Sequence, residues 1–219
     1  NIFTIMGNDE LIKSVTAKAT TWLSADYDEA TRAEVQKMLD SEDKTELIEC
    51  FYKDLEFGTG GLRGIMGVGS NRMNIYTVGA ATQGLANYLK DAFKDNEEIK
   101  VVVGHDVRNN SRKFAEITAN IFSANGIKVY LFEDCRPTPE ISFAIRELGC
   151  QSGVVITASH NPKEYNGYKA YWEDGAQMPP VAAKRVFEAM QTLDIFNDIS
   201  YIDFDSACND GKINLIGEE

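Results

Sequence analysis

An α/β fold, a mostly parallel mixed sheet sandwiched between helices, follows from three features of this 219-residue chain. Short β-branched apolar runs at 99–103, 127–132 and 153–156 alternate with segments of helical periodicity. Two strand–helix–strand units in succession require crossovers that cover both faces of a parallel sheet. A composition of 43% hydrophobic and 10% aromatic residues supplies a core large enough to bury it.

The elements follow in order. Residues 9–54 read as helical throughout: Leu11, Val15, Ala19 and Leu23 recur at helical spacing, Val35 and Leu39 mark a second segment, and Asp43 or Lys44 opens a third with Leu47, Ile48 and Phe51. Residues 57–69 hold six glycines, which excludes helix and predicts loop or irregular strand. Asn74 caps a helix running to about Phe93, and residues 99–103 form a buried strand. Ser111 starts a helix with Phe114, Ile117 and Ile121 on one face, and Gly126 ends it. After the strand at 127–132, Thr138-Pro139 starts a helix with Ile141, Ile145 and Leu148 inward. The strand at 153–156 follows, then a strand at 168–172 and a helix at 179–193. The tail from Ile199 reads as short alternating strands around the turn Asn209-Asp210-Gly211. This divides the chain into a domain at 1–198 and a linker, or the start of a second domain, at 199–219.

A net charge of −12 argues against a general nucleic-acid binder, which needs a basic face, but not against a phosphorylated substrate held by a few local cations. Cys50, Cys135, Cys150 and Cys208 are scattered and only two histidines exist, so a Cys/His zinc site is not expected. Scattered thiols without a signal-peptide pattern suggest a reducing, cytoplasmic setting. No apolar run approaches the roughly 18 residues of a membrane span.

Residues 157–162 read Thr-Ala-Ser-His-Asn-Pro, directly after a buried strand. Ligands in open α/β sheets bind at such strand ends. Ser159 offers a hydroxyl that can attack or carry a phosphoryl group if activated; equally, Ser-x-Asn-Pro is ordinary turn chemistry. Lys169 follows Asn166-Gly167, a turn signal that would fold the amine back toward Ser159, where neighbouring cations and burial would make it a usable base. Arg63 sits among glycines, which admit close backbone approach to a ligand, and its guanidinium suits phosphate oxygens. The stretch lacks the Gly-Lys-Ser/Thr of a P-loop. Asp106 is expected to cap local N–H groups or to pair with Arg108. Asp203 and Asp205 suit solvent-facing strand positions and are too few for a magnesium site, and Trp22 and Trp172 read as packing residues. A serine-hydrolase reading with His160 as base is poor, because an adjacent residue is badly placed to face its own nucleophile.

Four elements in order resemble the α-D-phosphohexomutase superfamily, the phosphoglucomutases and phosphomannomutases. They are Phe57-Gly58-Thr59-Gly60-Gly61-Leu62-Arg63-Gly64, Gly104-x-Asp106-x-Arg108, Thr157-Ala158-Ser159-His160-Asn161-Pro162 and Asn166-Gly167-Tyr168-Lys169. The resemblance covers roughly residues 40–195, and Asn71-Arg72-Met73-Asn74 looks most like the longer bacterial-type phosphoglucomutases and their phosphopentomutase relatives. It implies the family's N-terminal domain, with Ser159 as the phosphoserine, Lys169 as general base, His160 as a helper in proton transfer and Arg63 steadying the transferring group. Thr59, Gly60 and Asn161 join these four as substrate-facing positions. It further implies interconversion of sugar 1- and 6-phosphates through a hexose 1,6-bisphosphate, with Mg²⁺ on the phosphoserine oxygen. The family's three-aspartate magnesium loop, sugar-binding loop and C-terminal phosphate loop have no counterpart in these residues. An excised N-terminal domain with little turnover alone, completed by three further domains, is therefore expected. The rival expectation is a non-catalytic domain that binds a sugar phosphate or a partner protein.

Overall fold

The computed structural model describes residues 8–58 and 60–217. Within them the chain runs α1 (Asn8–Thr21), α2 (Glu29–Asp40), α3 (Thr45–Phe51), β1 (Gly61–Ile65), α4 (Ile75–Ala92), β2 (Lys100–His105), α5 (Ser111–Ala124), β3 (Lys128–Phe132), α6 (Thr138–Glu147), β4 (Ser152–Ile156), β5 (Tyr165–Trp172), α7 (Pro180–Gln191), α8 (Phe204–Asn209) and β6 (Ile213–Ile216). One six-stranded sheet has the order β1-β5-β4-β2-β3-β6. The pairs β4–β2, β2–β3 and β3–β6 are parallel, while β5 runs antiparallel to both β4 and β1.

The period-2 alternation of strand side chains builds the layers. Val101, Val103, Val154 and Ile156 enter one core with Leu85 and Leu89 of α4, Phe114 and Phe122 of α5 and Val186 of α7. Val102 and Val155 turn to the other face and meet Ile141 and Ile145 of α6. All five central valines are essentially inaccessible to solvent. Full burial of each such side chain contributes about 1.5–3 kcal/mol before entropy is counted. That explains why these runs carry no polar position.

The N-terminal helices pack as a third cluster, in which Val15, Val35, Leu47 and Phe51 surround Trp22. Trp22 stacks on Tyr27 at 4.6 Å and meets Phe51 edge-on at 5.5 Å. Trp172 likewise packs, between Tyr88 and Phe93 at 5.8 and 5.2 Å. Residues 9–54 are thus three helices with breaks. Asp28 restarts the second by accepting from Thr31 N at 2.9 Å, and Asp43 accepts from Thr45 N at the start of the third. Asn74 caps α4 with a reciprocal capping box shared with Thr77. Its amide also donates to Gly67 O and Gly69 O, both at 2.9 Å, tying the glycine-rich segment to the helix.

Three local expectations are corrected. Part of the glycine-rich stretch is a regular strand, β1. Asn166-Gly167 is the interior of β5 and not a turn. The turn signal fails there because Asn166 is buried and spends its amide on Asn109 O and Ser111 Oγ, while its Oδ1 accepts from Gly167 N. Gly167 is small for a different reason: a Cβ there would lie 2.5 Å from Thr157 O. In the tail, Asp203 accepts from Ser206 N at 2.9 Å and caps α8 where strand was expected. Beyond Gly211, β6 pairs with β3 in the same sheet, so residues 204–216 are a helix and an edge strand of this layer and not a linker.

Candidate active site

The carboxyl ends of β4 and β2 meet at the loop that holds Ser159. The chain leaves β4 at Ile156, reverses through residues 157–164 and returns as β5. Ser159 sits at the crest of this reversal with φ 57°, the left-handed region that side-chain-bearing residues seldom enter. Its side chain is exposed, while Thr157 and Ala158 before it are buried.

A polar network beneath the loop holds it there. Ser159 N donates to Thr157 Oγ1 at 3.0 Å, and Thr157 Oγ1 donates to Asp106 Oδ2 at 2.7 Å. The other carboxylate oxygen, Asp106 Oδ1, accepts from Arg108 N at 2.9 Å and Ser111 Oγ at 2.7 Å. Arg108 Nε lies 3.3 Å from Asp106 Oδ2. The local N–H capping and the arginine pairing expected of Asp106 are therefore both present. Arg108 then reaches the loop itself: Nη2 donates to Ser159 O (2.8 Å) and Asn161 O (2.6 Å), and Nη1 to Pro162 O (2.7 Å) and Tyr165 O (3.2 Å).

Strand register delivers the two cations. Leu62 and Tyr168 are buried in the main core, so the next residue of each strand, Arg63 and Lys169, points to the opposite face. Arg63 is opposite Gly167, and Lys169 pairs with Gly61 on one side and Val155 on the other. Arg63 Nη1 donates to Asn161 Oδ1 at 3.2 Å, which brings the guanidinium onto the serine loop. Lys169 is half-buried; burial first, and the Arg63 charge second, hold its amine below the ordinary lysine range, with Asp106 opposing them. Among the described residues Lys169 forms no ion pair. A cleft of about 610 Å³ runs along β1, lined by Gly58, Gly60, Gly61, Arg63, Tyr165 and Lys169.

Of the residues singled out from sequence, Arg63 meets Asn161, on the same loop as Ser159 and His160, and its charge acts on Lys169; Arg63, Lys169 and Gly60 line the cleft. Thr59 lies outside the described residues. The position of His160 differs from expectation. The left-handed turn at Ser159 swings the next residue back, and His160 Nδ1 lies 3.4 Å from Ser159 Oγ, a long contact. Among the described residues no carboxylate holds the other ring nitrogen, so a hydrolase-type triad is incomplete. Sequence reasoning missed that Arg108 and Thr157 support the serine. Both lay inside the quoted motifs, but carbonyl partners of a guanidinium leave no trace in residue types.

A divalent cation needs several oxygen ligands. Among the described residues no three acidic, histidine or cysteine side chains converge to hold one. Ser159 Oγ stands exposed on the loop without such a cluster around it, so the described residues do not make a magnesium site by themselves. Among the described helices none is long and apolar enough to cross a membrane.

Comparison with known proteins agrees with this fold. Residues 54–195 match the phosphoglucomutase/phosphomannomutase α/β/α domain I family. A human phosphopentomutase is 40% identical over 192 residues, covering 85% of this chain and 31% of that protein. A Staphylococcus haemolyticus phosphoglucomutase is 43% identical over 159 residues, covering 73% of this chain and 28% of its own length. Among solved structures, a phosphoglucomutase/phosphomannomutase family protein from Burkholderia thailandensis superimposes with a TM-score of 0.54 at 20% identity, covering 73% of this chain and 32% of the other; at that identity the likeness is one of fold. The chain thus spans about a third of the length of these relatives.

Proposed function

The chain belongs to the phosphoglucomutase/phosphomannomutase family, carrying its α/β/α domain I, and from that premise we propose that it is the phosphoserine-bearing part of a phosphosugar mutase. One observation carries the reading. An exposed serine hydroxyl, held in a left-handed turn at the strand ends, stands on the loop that Arg63 contacts, and the same Arg63 acts on the charge of the half-buried amine of Lys169.

In this reading Ser159 Oγ carries a phosphoryl group. The P–O bond to serine breaks as a P–O bond to a sugar hydroxyl forms, and the hydroxyl's proton passes to Lys169 Nζ, whose lowered affinity for protons leaves more of it free to accept one. Arg63 neutralises charge on the phosphoryl oxygens during transfer. His160, 3.4 Å from Ser159 Oγ, assists proton movement. The resulting bisphosphate reorients and returns its other phosphoryl group to Ser159. Gly60 and Asn161 complete the substrate-facing wall. Mg²⁺ belongs to the proposal with Ser159 Oγ as its one ligand from this chain; bound, it would offset charge on the phosphoryl group. Its remaining ligands, and the clamp for the sugar, lie in further segments of a longer protein, as the span of the relatives suggests.

A hexose phosphate is the leading substrate, supported by the phosphoglucomutase relatives. A pentose phosphate is the second reading, favoured by the human phosphopentomutase at 40% identity. The test is Ser159→Ala in the full-length protein, assayed on a panel of sugar 1-phosphates, with mass spectrometry of the wild-type peptide. Loss of turnover and a phosphorylated Ser159 are expected. Full activity in the alanine variant would refute the proposal.

A further inference from the structure

The hydrogen bonds beneath Ser159 close on themselves. From the serine's own N–H, the path runs through Thr157 Oγ1 to Asp106, across the ion pair to Arg108, and from Arg108 Nη2 back to the serine's own carbonyl. Both backbone groups of the left-handed residue are therefore tied to one carboxylate–guanidinium pair. The same guanidinium also accepts no substitute easily: its two terminal nitrogens serve four carbonyls spread over residues 159–165, at 2.6–3.2 Å. Only a planar fork of fixed donors can span them, and a lysine ammonium is a point donor.

Arg108 is committed away from solvent ligands. Its side chain is 14% exposed, it pairs with Asp106, and its terminal nitrogens face main-chain oxygens and not the cleft beside Arg63. Asp106 is likewise occupied, by Arg108 N, Ser111 Oγ and Thr157 Oγ1. The rest of the loop's anchorage lies at its two ends, Thr157 N to Gly167 O and Met66 N to Glu164 O, in its own turns, Asn161 N to Ala158 O and Tyr165 N to Pro162 O, and in the Arg63–Asn161 contact; none of these bonds ties Ser159 itself. Strain at φ 57° is maintained because this network over-determines it.

We propose that Arg108, working through Asp106 and Thr157, is the positioning residue that holds Ser159 in its left-handed conformation and aims its hydroxyl for phosphoryl transfer. The inference rests on the mutase reading above and deepens it. Arg108 does not touch the transferring group; it sets the angle from which the serine oxygen meets it. Misplacing a reacting oxygen by about an ångström costs on the order of a hundredfold in rate, whereas binding of the sugar by other parts of the site need not change.

The experiment compares Arg108→Lys, Thr157→Val and Ser159→Ala with the wild type, each as the full-length protein. Turnover is expressed per site able to be phosphorylated, measured by intact-mass spectrometry after exposure to hexose 1,6-bisphosphate. Arg108→Lys is expected to lower kcat per competent site by about ten- to a hundredfold while KM for the sugar phosphate stays within about twofold, the signature of an interaction that matters in the transition state. Thr157→Val, which releases only the N–H side of the circuit, is expected to move kcat the same way by less. A merely structural role would lower the fraction of competent sites and leave kcat per site intact. That outcome, or a wild-type kcat per site in both variants, overturns the inference. Should Arg108→Lys fail to fold, Thr157→Val decides alone. An active Ser159→Ala would instead strike the mutase reading itself.

Discussion

Gly167→Ala places a single methyl group between β5 and the strands on either side of it. The added Cβ would lie 2.5 Å from Thr157 O and 3.0 Å from Leu62 O. Both neighbours are main chain, so no rotamer change relieves the contact, and the closer one is roughly 1 Å short of ordinary van der Waals separation. Two hydrogen bonds share the site, Thr157 N to Gly167 O at 2.9 Å and Gly167 N to Asn166 Oδ1 at 2.8 Å. Overpacking costs about 1–3 kcal/mol, and loosening these bonds adds about 1 kcal/mol each. The reduced entropy of the unfolded alanine chain returns about 0.4–1 kcal/mol. A net loss of about 2–5 kcal/mol follows, or roughly 4–20 °C in Tm for a chain of this size. Differential scanning calorimetry measures it, with Gly126→Ala as the control. Gly126 has φ +78° but nothing within 4 Å of the added atom, so it bears only the left-handed penalty of about 1–2 kcal/mol. If Gly167→Ala melts within about 2 °C of the wild type, or no lower than the control, the close approach of β5 to Thr157 is not rigid and the reasoning fails.

Three further outcomes concern the site and its support. Lys169 holds its proton less firmly than a free lysine because of burial and then the Arg63 charge, so Arg63→Gln should move its titration to higher pH, read by NMR of the side-chain amine; an unchanged titration would mean that the two charges do not feel each other. The linked stability effect has a definite sign: the ammonium is disfavoured in the folded chain, so stability rises as pH climbs from the folded value toward the unfolded lysine value of 10.5, and Lys169→Met should flatten that rise in urea titrations. Asn74→Ala removes the capping box of α4 together with the amide bonds to Gly67 O and Gly69 O, and is expected to cost about 2–3 kcal/mol in urea unfolding; Asn74→Asp, which keeps the cap acceptor and loses the donors, should fall between the two.

Burial and local geometry divide what was legible in the chain from what was not. Runs such as Val101-Val102-Val103 announce a strand buried on both faces, because no polar side chain could sit there unpaired. The caps at Asn74 and the helix start at Thr138-Pro139 are likewise local events between near neighbours, readable from residue type. The tail misled because Asp203 caps a short helix, and Asn209-Asp210-Gly211 ends that helix where it looked like a hairpin turn. Asn166-Gly167 misled for the opposite reason. Its turn chemistry is overridden by partners 55 and 57 residues away, Ser111 Oγ and Asn109 O.

The order of apolar runs, the serine loop after a buried strand, and a lysine ten residues on were determined by sequence alone, since each depends on residue type and spacing. Only the tertiary structure decided how the site is assembled. Arg63 reaches Asn161 across 98 residues because β1 pairs with β5, and Arg108 reaches the serine loop across 51 because β2 and β4 lie side by side. Donors and acceptors of the main chain are the same at every position, so a guanidinium that binds four carbonyls cannot be inferred from the residues it binds; strand register, a property of the whole sheet, chooses them.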